Sequence, residues 1–260
     1  MKLIQSRDNP FYKELVKLTT SARSRNKAGK TLLDGAHLLT AYLDAGHQPL
    51  QVLLNAAALQ DDEIAALLPR LTGVPVTQLD DRLFTELTEL KTPTGILALI
   101  DLPLPEVAAC HFALLLEAIQ DPGNLGSMLR SAAAAGCDAV FLSPTCADAW
   151  SPKVLRAAMG GHFCLAIHEQ QDLLRVAENF SGKLLATTLQ ATNSLYECDL
   201  TGNIAFMMGN EGAGLSDELR ALATHPVTIP MLGGVESLNA AAATAICLFE
   251  AVRQRLATKH

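Results

Sequence analysis

From Phe112 onward the chain repeats one pattern: a short apolar run, a turn, then a stretch with helical character. The first run, FALLLEAI at residues 112–119, shows no alternation of apolar and polar positions up to Leu116. A strand with one solvated face alternates, so an unbroken apolar run is expected to be buried on both faces, as in a parallel sheet covered by helices. Further strand candidates follow at AVFLSP, CLAI, KLLATTL, IAFMMGN and PVTIPM, with helices between them at LGSMLRSAAAAG, SPKVLRAAMGG, QDLLRVAENF and SDELRAL. Alternation of strand and helix predicts an α/β domain on a parallel sheet.

A smaller alternating module precedes it. Residues 8–20 read as an amphipathic helix with Phe11, Leu15, Val16 and Leu18 on or near one face. Then come a strand at TLLD, a helix from Gly35 to Gly46, a strand at LQVLLN, a helix at DDEIAALLPR stopped by Pro69, a strand at PVTQLD and a helix at DRLFTELTEL. TPTGILALID closes the module as a strand whose Gly95 allows a bulge or close backbone approach. DLPLPEV, with two prolines and no periodicity, reads as a linker. The expected organisation is a small α/β domain over residues 1–101, a linker over 102–110 and the parallel α/β domain over 111–260.

With 260 residues, 49% of them apolar, the chain can bury a substantial core. No run reaches the eighteen or so apolar residues of a membrane span. The opening MKLIQSRDNPFYK lacks the apolar segment of a signal peptide, so a cytoplasmic location is expected. Six scattered cysteines without a C-x-x-C pair suggest buried free thiols instead of disulfides or zinc ligands. His162 and His168 lie six apart, outside the i, i+4 pairing of helical metal ligands, and no metal is expected. A net charge of −7 argues against indiscriminate coating of nucleic acid. In the first thirty residues, however, Lys2, Arg7, Lys13, Lys17, Arg23, Arg25, Lys27 and Lys30 face only Asp8 and Glu14. That is a basic arm suited to phosphates, or else a solvated helix face followed by a loose SARSRNKAG turn.

Three stretches bear chemistry. In DPGNLGSMLRSAAAAG, Pro122 and Gly123 make a turn after an apolar strand and Asn124 can cap the following helix. Arg130, in a helix otherwise of Leu, Met and Ala, needs a partner or a path to solvent. In MMGNEGAGLSDEL, a strand runs into Gly209, Asn210, Glu211, Gly212 and Gly214, and Glu211 suits a fixed hydrogen-bond acceptor or an exposed turn. The spacing G-x-x-G-x-G meets neither the dinucleotide nor the P-loop fingerprint. In HPVTIPMLGGVESLNAAAATAICLFEAV, a β-branched run stops at Pro230, Gly233 and Gly234 turn the chain, and Glu236, Ser237 and Asn239 precede a nearly polar-free helix. Ser237 and Asn239 are site residues or simply helix caps.

Asn124 and Arg130 in DPGNLGSMLR, the block GNEGAGLS, and IPMLGGVESLNAAAATAI resemble, in order and spacing, the three signature motifs of the SpoU/TrmH methyltransferases of the SPOUT superfamily. These enzymes methylate ribose 2′-hydroxyls of tRNA or rRNA. The resemblance spans roughly residues 112–256, and LLDGAHLLTAYLDAG and TPTGILALI are similar to parts of the family's substrate-binding domain. It implies a C-terminal trefoil-knotted domain, the chain passing through a loop near residues 209–235, where periodicity by itself gives only a parallel sheet. It also implies a homodimer, an RNA substrate (rRNA before tRNA), S-adenosyl-L-methionine as cofactor and no metal. The positions carried over are Asn124, Arg130, Glu211, Ser237 and Asn239, with largely backbone cofactor contacts at Gly209, Ile229, Met231 and Leu238. In that reading Arg130 grips the neighbouring phosphate and stabilises the developing alkoxide, Asn124 and Glu211 orient it, and Ser237 and Asn239 hold the site.

Aromatics are sparse at 5%, Trp150 and three tyrosines beside eight phenylalanines, so RNA is expected to be held by phosphate contacts from the N-terminal arm, Lys153 and Arg156. The alternative from another class is a non-catalytic RNA-binding protein that keeps the fold, against which the presence of all five polar positions argues. A dinucleotide oxidoreductase lacks its glycine fingerprint.

Overall fold

The structure is a computed structural model that describes residues 1–260 except 106–108, 189–190, 211 and 259–260. In chain order its strands and helices are β1 (Lys2–Ile4), α1 (Pro10–Thr20), α2 (Ala22–Ala28), β2 (Lys30–Asp34), α3 (Ala36–Asp44), β3 (Gln51–Leu54), α4 (Asp62–Leu67), β4 (Val76–Leu79), α5 (Asp81–Leu87) and β5 (Ile96–Asp101). They continue with β6 (Phe112–Leu116), α6 (Pro122–Ala135), β7 (Ala139–Leu142), α7 (Pro152–Ala158), β8 (Ala166–His168), α8 (Leu173–Asn179), β9 (Lys183–Thr187), β10 (Ile204–Met208), α9 (Asp217–Ala221), β11 (His225–Val227) and α10 (Ala240–Ala257). Two compact units result, one of Met1–Pro103 with Trp150–Phe163, the other of Leu104–Ala149 with Cys164–His260.

The first unit holds a five-stranded sheet in the order β1-β4-β3-β5-β2, in which β5 runs antiparallel to both its neighbours. Its core is built from Tyr12, Leu15 and Leu18 of α1, Leu83, Phe84 and Leu87 of α5, and strand residues such as Leu32, Leu53, Leu79 and Leu97. Two elements differ from the sequence reading. The stretch expected as a loose basic turn is helix α2, capped by the Ser21 hydroxyl and stopped by Gly29 at φ +63°. Arg25, expected in a phosphate-binding arm, is 4% exposed and donates from Nη1 to the carbonyls of Leu18 (2.5 Å) and Thr19 (3.4 Å). It thereby satisfies carbonyls of the last turn of α1, where a cation also faces the negative end of the helix. The arm is folded structure; Lys17, Arg23 and Lys27 remain exposed on it.

The segment Trp150–Phe163 falls inside the sequence range expected for the parallel domain but clusters with the first unit. The Thr31 hydroxyl donates to the Trp150 carbonyl (2.9 Å), Phe163 stands edge-on to Tyr42, and the Arg156 Nη2 donates to Glu89 (2.7 Å) with Asp34 4.0 Å from Nη1. Arg156, proposed from sequence to grip RNA phosphate, is therefore held by two carboxylates. His162 lies buried against the Trp150 ring.

The second unit holds a six-stranded sheet, order β11-β9-β10-β6-β7-β8, and every pairing in it is parallel. The two unbroken apolar runs, β6 and β10, are buried at every position and pair from Ile204–Phe112 to Met208–Leu116. Alternate residues point to opposite faces. Ala113, Leu115, Ala205 and Met207 pack with Leu173 and Ala177 of α8 and Leu219 of α9. Phe112, a register step away, lies under the Arg255 guanidinium of α10, 4.1 Å from its ring centre. Strand β11 ends at Val227, short of the expected Ile229; Thr228 makes one further parallel bridge to Ser194.

Candidate active site

The chain leaves β6 toward β7 on one side and leaves β10 toward β11 on the other, so the sheet order reverses between these central strands. A crevice at the carboxyl ends of parallel strands, where successive connections diverge, is where α/β sheets bind ligands. Here the diverging loops are fastened together. The Glu117 carboxylate accepts from the Ser216 backbone N–H and hydroxyl, each at 2.7 Å. Asn210 exchanges two backbone hydrogen bonds with Gly214, accepts on Oδ1 from the N–H groups of Gly212 (2.9 Å) and Ala213 (3.1 Å), and donates from Nδ2 to the Ala118 carbonyl (2.9 Å). Ala118 itself sits at φ +56°, its N–H held by the Ser143 hydroxyl at 2.9 Å. A non-glycine residue there costs about 1–2 kcal/mol, tolerated because both its peptide groups are anchored. Gly209 has no alternative: a Cβ at that position would run into the backbone of Gly214 and Leu215.

Beside this locked loop lies a cleft of about 300 Å³, lined among the described residues by Thr187, Thr188, Met208, Gly209, Asn210, Gly212, Ala213, Gly214, Leu215, Thr228, Ile229, Met231, Ser237 and Leu238, with Arg220, Ala240 and Ala243. All four positions expected to contact a cofactor, Gly209, Ile229, Met231 and Leu238, are in its wall, as is Ser237.

Asn124, Arg130 and Asn239 sit outside that lining. Asn124 is not the cap of α6; Asp121 is, its carboxylate accepting from the Asn124 N–H at 2.7 Å, with Pro122 filling the first helical position. The Asn124 side chain instead accepts from Asn239 Nδ2 at 2.9 Å. Asn239 does cap its helix, accepting on Oδ1 from Ala241 (2.9 Å) and Ala242 (3.2 Å). One side chain thus starts α10 and ties it to the first turn of α6, and the two helices pack together. Arg130 is exposed on α6 and makes no hydrogen bond or ion pair among the described residues, so the expected orientation of Arg130 by Asn124 is not seen. Glu211 lies outside the described residues.

Sequence reasoning missed Thr187, Thr188, Asn210, Thr228 and Arg220 as cleft residues, and the Glu117–Ser216 clamp. The signal was present for some: Thr187 and Thr188 end an apolar strand run, and Glu117 is the one charge in FALLLEAI. Among the described residues no group of three or more His, Cys, Asp or Glu could hold a metal ion, and no helix is long and apolar enough to cross a membrane.

A parallel α/β sheet with a cleft of small-molecule size at its switch point defines the second unit, and a mixed α/β sheet the first. The model of the SpoU rRNA Methylase family matches residues 111–249, and that of the MRM3-like substrate binding domain matches residues 9–98. The chain is 34% identical to the 23S rRNA (guanosine(2553)-2′-O)-methyltransferase RlmP of Bacillus subtilis, over 96% of this chain and 98% of that protein. It is similar to the crystal structure of an RNA 2′-O ribose methyltransferase, with a TM-score of 0.83 and 31% identity, covering 98% of this chain and 99% of the other. The SpoU methyltransferase AviRb of Streptomyces viridochromogenes, solved in complex with AdoMet, superposes with a TM-score of 0.84 at 28% identity over 95% of this chain and 98% of that one. The chain belongs to the SpoU rRNA methylase family.

Proposed function

We propose that this protein transfers a methyl group from S-adenosylmethionine to a ribose 2′-hydroxyl of ribosomal RNA. The observation that carries the reading is the cleft at the sheet's switch point, walled by the four positions matched to cofactor contacts, in a chain similar over 96% and 86% of its length to two 23S rRNA 2′-O-methyltransferases. The cleft fits such a group. Its volume of about 300 Å³ is that of a small-molecule site, and its walls alternate Met208, Leu215, Ile229, Met231 and Leu238 with backbone exposed at Gly209, Gly212 and Gly214. Apolar walls with a few fixed N–H and C=O groups are what a nucleoside requires.

When bound, S-adenosylmethionine supplies the activated methyl group. The chain's residues orient the hydroxyl in line with that methyl and absorb the charge left on its oxygen. An arginine is a permanent cation, so Arg130 serves as electrostatic support: it grips the phosphate next to the target ribose and stabilises the developing alkoxide. Its exposure and its lack of a partner among the described residues favour this role, since a guanidinium already paired would have to be released. The proton leaves through that phosphate or water. Asn239 and Asn124 are positioning residues that fix the starts of α10 and α6, the latter carrying Arg130. Ser237 supplies a hydroxyl-bearing side chain to the cleft wall.

A second copy of the chain is part of the same proposal, supported by the exposed Phe249 and Leu256 on α10 and by exposed Leu232 and Val235 ahead of it. The trefoil knot implied by the motifs, threaded near residues 209–235, belongs to it as well. Light scattering on the purified chain tests the dimer. The function is tested by incubating the protein with tritiated S-adenosylmethionine and ribosomal RNA or subunits from cells lacking the gene. Label at one alkali-resistant linkage in rRNA is expected. Absence of both label and cofactor binding would sink the reading in favour of a non-catalytic RNA-binding protein.

A further inference from the structure

Among the described residues that line the cleft, Arg220 alone carries a charge; the others are glycine, alanine, aliphatic or methionine side chains, threonine, serine and asparagine. Its place is fixed by the sheet-end clamp. Leu219, the preceding residue, is 1% exposed in the core against β6 and β10, and its N–H is capped by the Ser216 hydroxyl (3.3 Å), which Glu117 holds in turn. The backbone of Arg220 is thereby tied to the sheet end, while its side chain is 48% exposed. The ion pair it makes is with Asp217, one helical turn earlier, at 2.6 Å, and the Asp217 side chain is 86% exposed. An i, i+3 pair so open to water contributes little and is readily exchanged for another anion.

S-adenosylmethionine brings to this cleft an α-carboxylate as well as its nucleoside. An apolar, partly enclosed site penalises an unpaired carboxylate, and a guanidinium is the side chain best matched to one, through two parallel hydrogen bonds. We propose that Arg220 is the anion anchor of the cleft and holds the α-carboxylate of the cofactor, exchanging Asp217 for it on binding. The assignment rests on the cofactor reading of the cleft. Ribosomal RNA offers the same chemistry in its phosphates, so the two sources are separated by experiment.

The test is titration calorimetry with two ligands, S-adenosylhomocysteine, which carries the carboxylate, and 5′-methylthioadenosine, which shares the nucleoside and thioether but lacks the amino-acid end. For Arg220→Gln the dissociation constant of S-adenosylhomocysteine is expected to rise roughly ten- to a hundredfold, while that of methylthioadenosine stays at the wild-type value. Arg220→Lys should fall between, which also carries the test if the glutamine variant fails to fold. Asp217→Asn, removing the competing carboxylate, should tighten S-adenosylhomocysteine alone by roughly two- to fivefold. Equal affinities of wild type and Arg220→Gln for both ligands would overturn the assignment, as would parallel weakening of both, the mark of a distorted cleft. Unchanged cofactor binding with weakened binding of ribosomal RNA would give Arg220 to a phosphate and overturn it too. A wild-type protein that binds neither nucleoside would instead remove the cofactor reading beneath it.

Discussion

Arg25 and Arg156 in the mixed-sheet unit can be set beside Arg130 and Arg220 in the parallel-sheet unit. Arg25 is buried and bonded to the carbonyls that end α1, and Arg156 is held by Glu89 and Asp34. Arg7 likewise grips Glu86, whose carboxylate also receives the Tyr12 hydroxyl at 2.7 Å. Burial and that carboxylate push the Tyr12 phenol well above its ordinary range. In the parallel-sheet unit Arg130 has no partner among the described residues and Arg220 only a solvated one. The first pair does work that folding needs; the second pair is left for something the chain does not itself contain. Permanent cations cannot be neutralised by a shifted pKa, so exposed ones with no partner among the described residues, as Arg130, or with only a solvated one, as Arg220, point to an anionic ligand.

The comparison can be broken at several points. Gly209→Ala should have the largest effect, since its Cβ would strike the backbone of Gly214 and Leu215: a loss of about 2–3 kcal/mol in urea unfolding, together with loss of cofactor binding. Arg25→Ala should cost about 2 kcal/mol by stranding buried carbonyls of α1, yet leave methyl transfer at the wild-type rate well below the melting point. Loss of RNA binding with unchanged stability would return Arg25 to the phosphate-binding arm. Asn239→Ala should cost about 1 kcal/mol for the lost cap. Asn239→Asp keeps the cap but cannot donate to Asn124, so a selective drop in transfer rate without that stability loss would isolate the tie between the two helices.

The smallest effect concerns thiols. Burial raises Cys247 to about 12 from its ordinary 9.0, and Cys137 higher still, whereas Cys164 is exposed. Because the folded value is the raised one, the neutral thiol favours the fold below about pH 9, and that contribution is lost as pH climbs through about 12. Alkylation at pH 8 should therefore mark Cys164 on the native protein and leave Cys137 and Cys247 untouched until urea unfolds it. Early labelling of Cys247 would mean that α10 opens locally.

The parallel sheet was legible because its strands are buried on both faces, which writes each one as an apolar run such as FALLL or IAFMM. The site was legible where motif glycines and polar residues follow those runs. Strand β1 was not, having three residues of which only Ile4 is buried, too few for a period to register. Helix α2 was not, since ARSRNKA has no apolar stripe and owes its place to a cap, a left-handed Gly29 and the bonds of Arg25. Nor could sequence pattern pair Glu117 with Ser216 across 99 positions, or assign Trp150–Phe163 to the first unit, because both depend on how distant elements dock.

The most direct test of the account is Arg130→Ala, assayed for tritium transfer into ribosomal RNA beside calorimetric binding of S-adenosylhomocysteine. A free cation that acts only on the developing alkoxide and its phosphate predicts a roughly hundred- to thousandfold loss of transfer with cofactor affinity and melting temperature unchanged. Transfer at the wild-type rate would contradict it and leave Arg130 an ordinary surface residue.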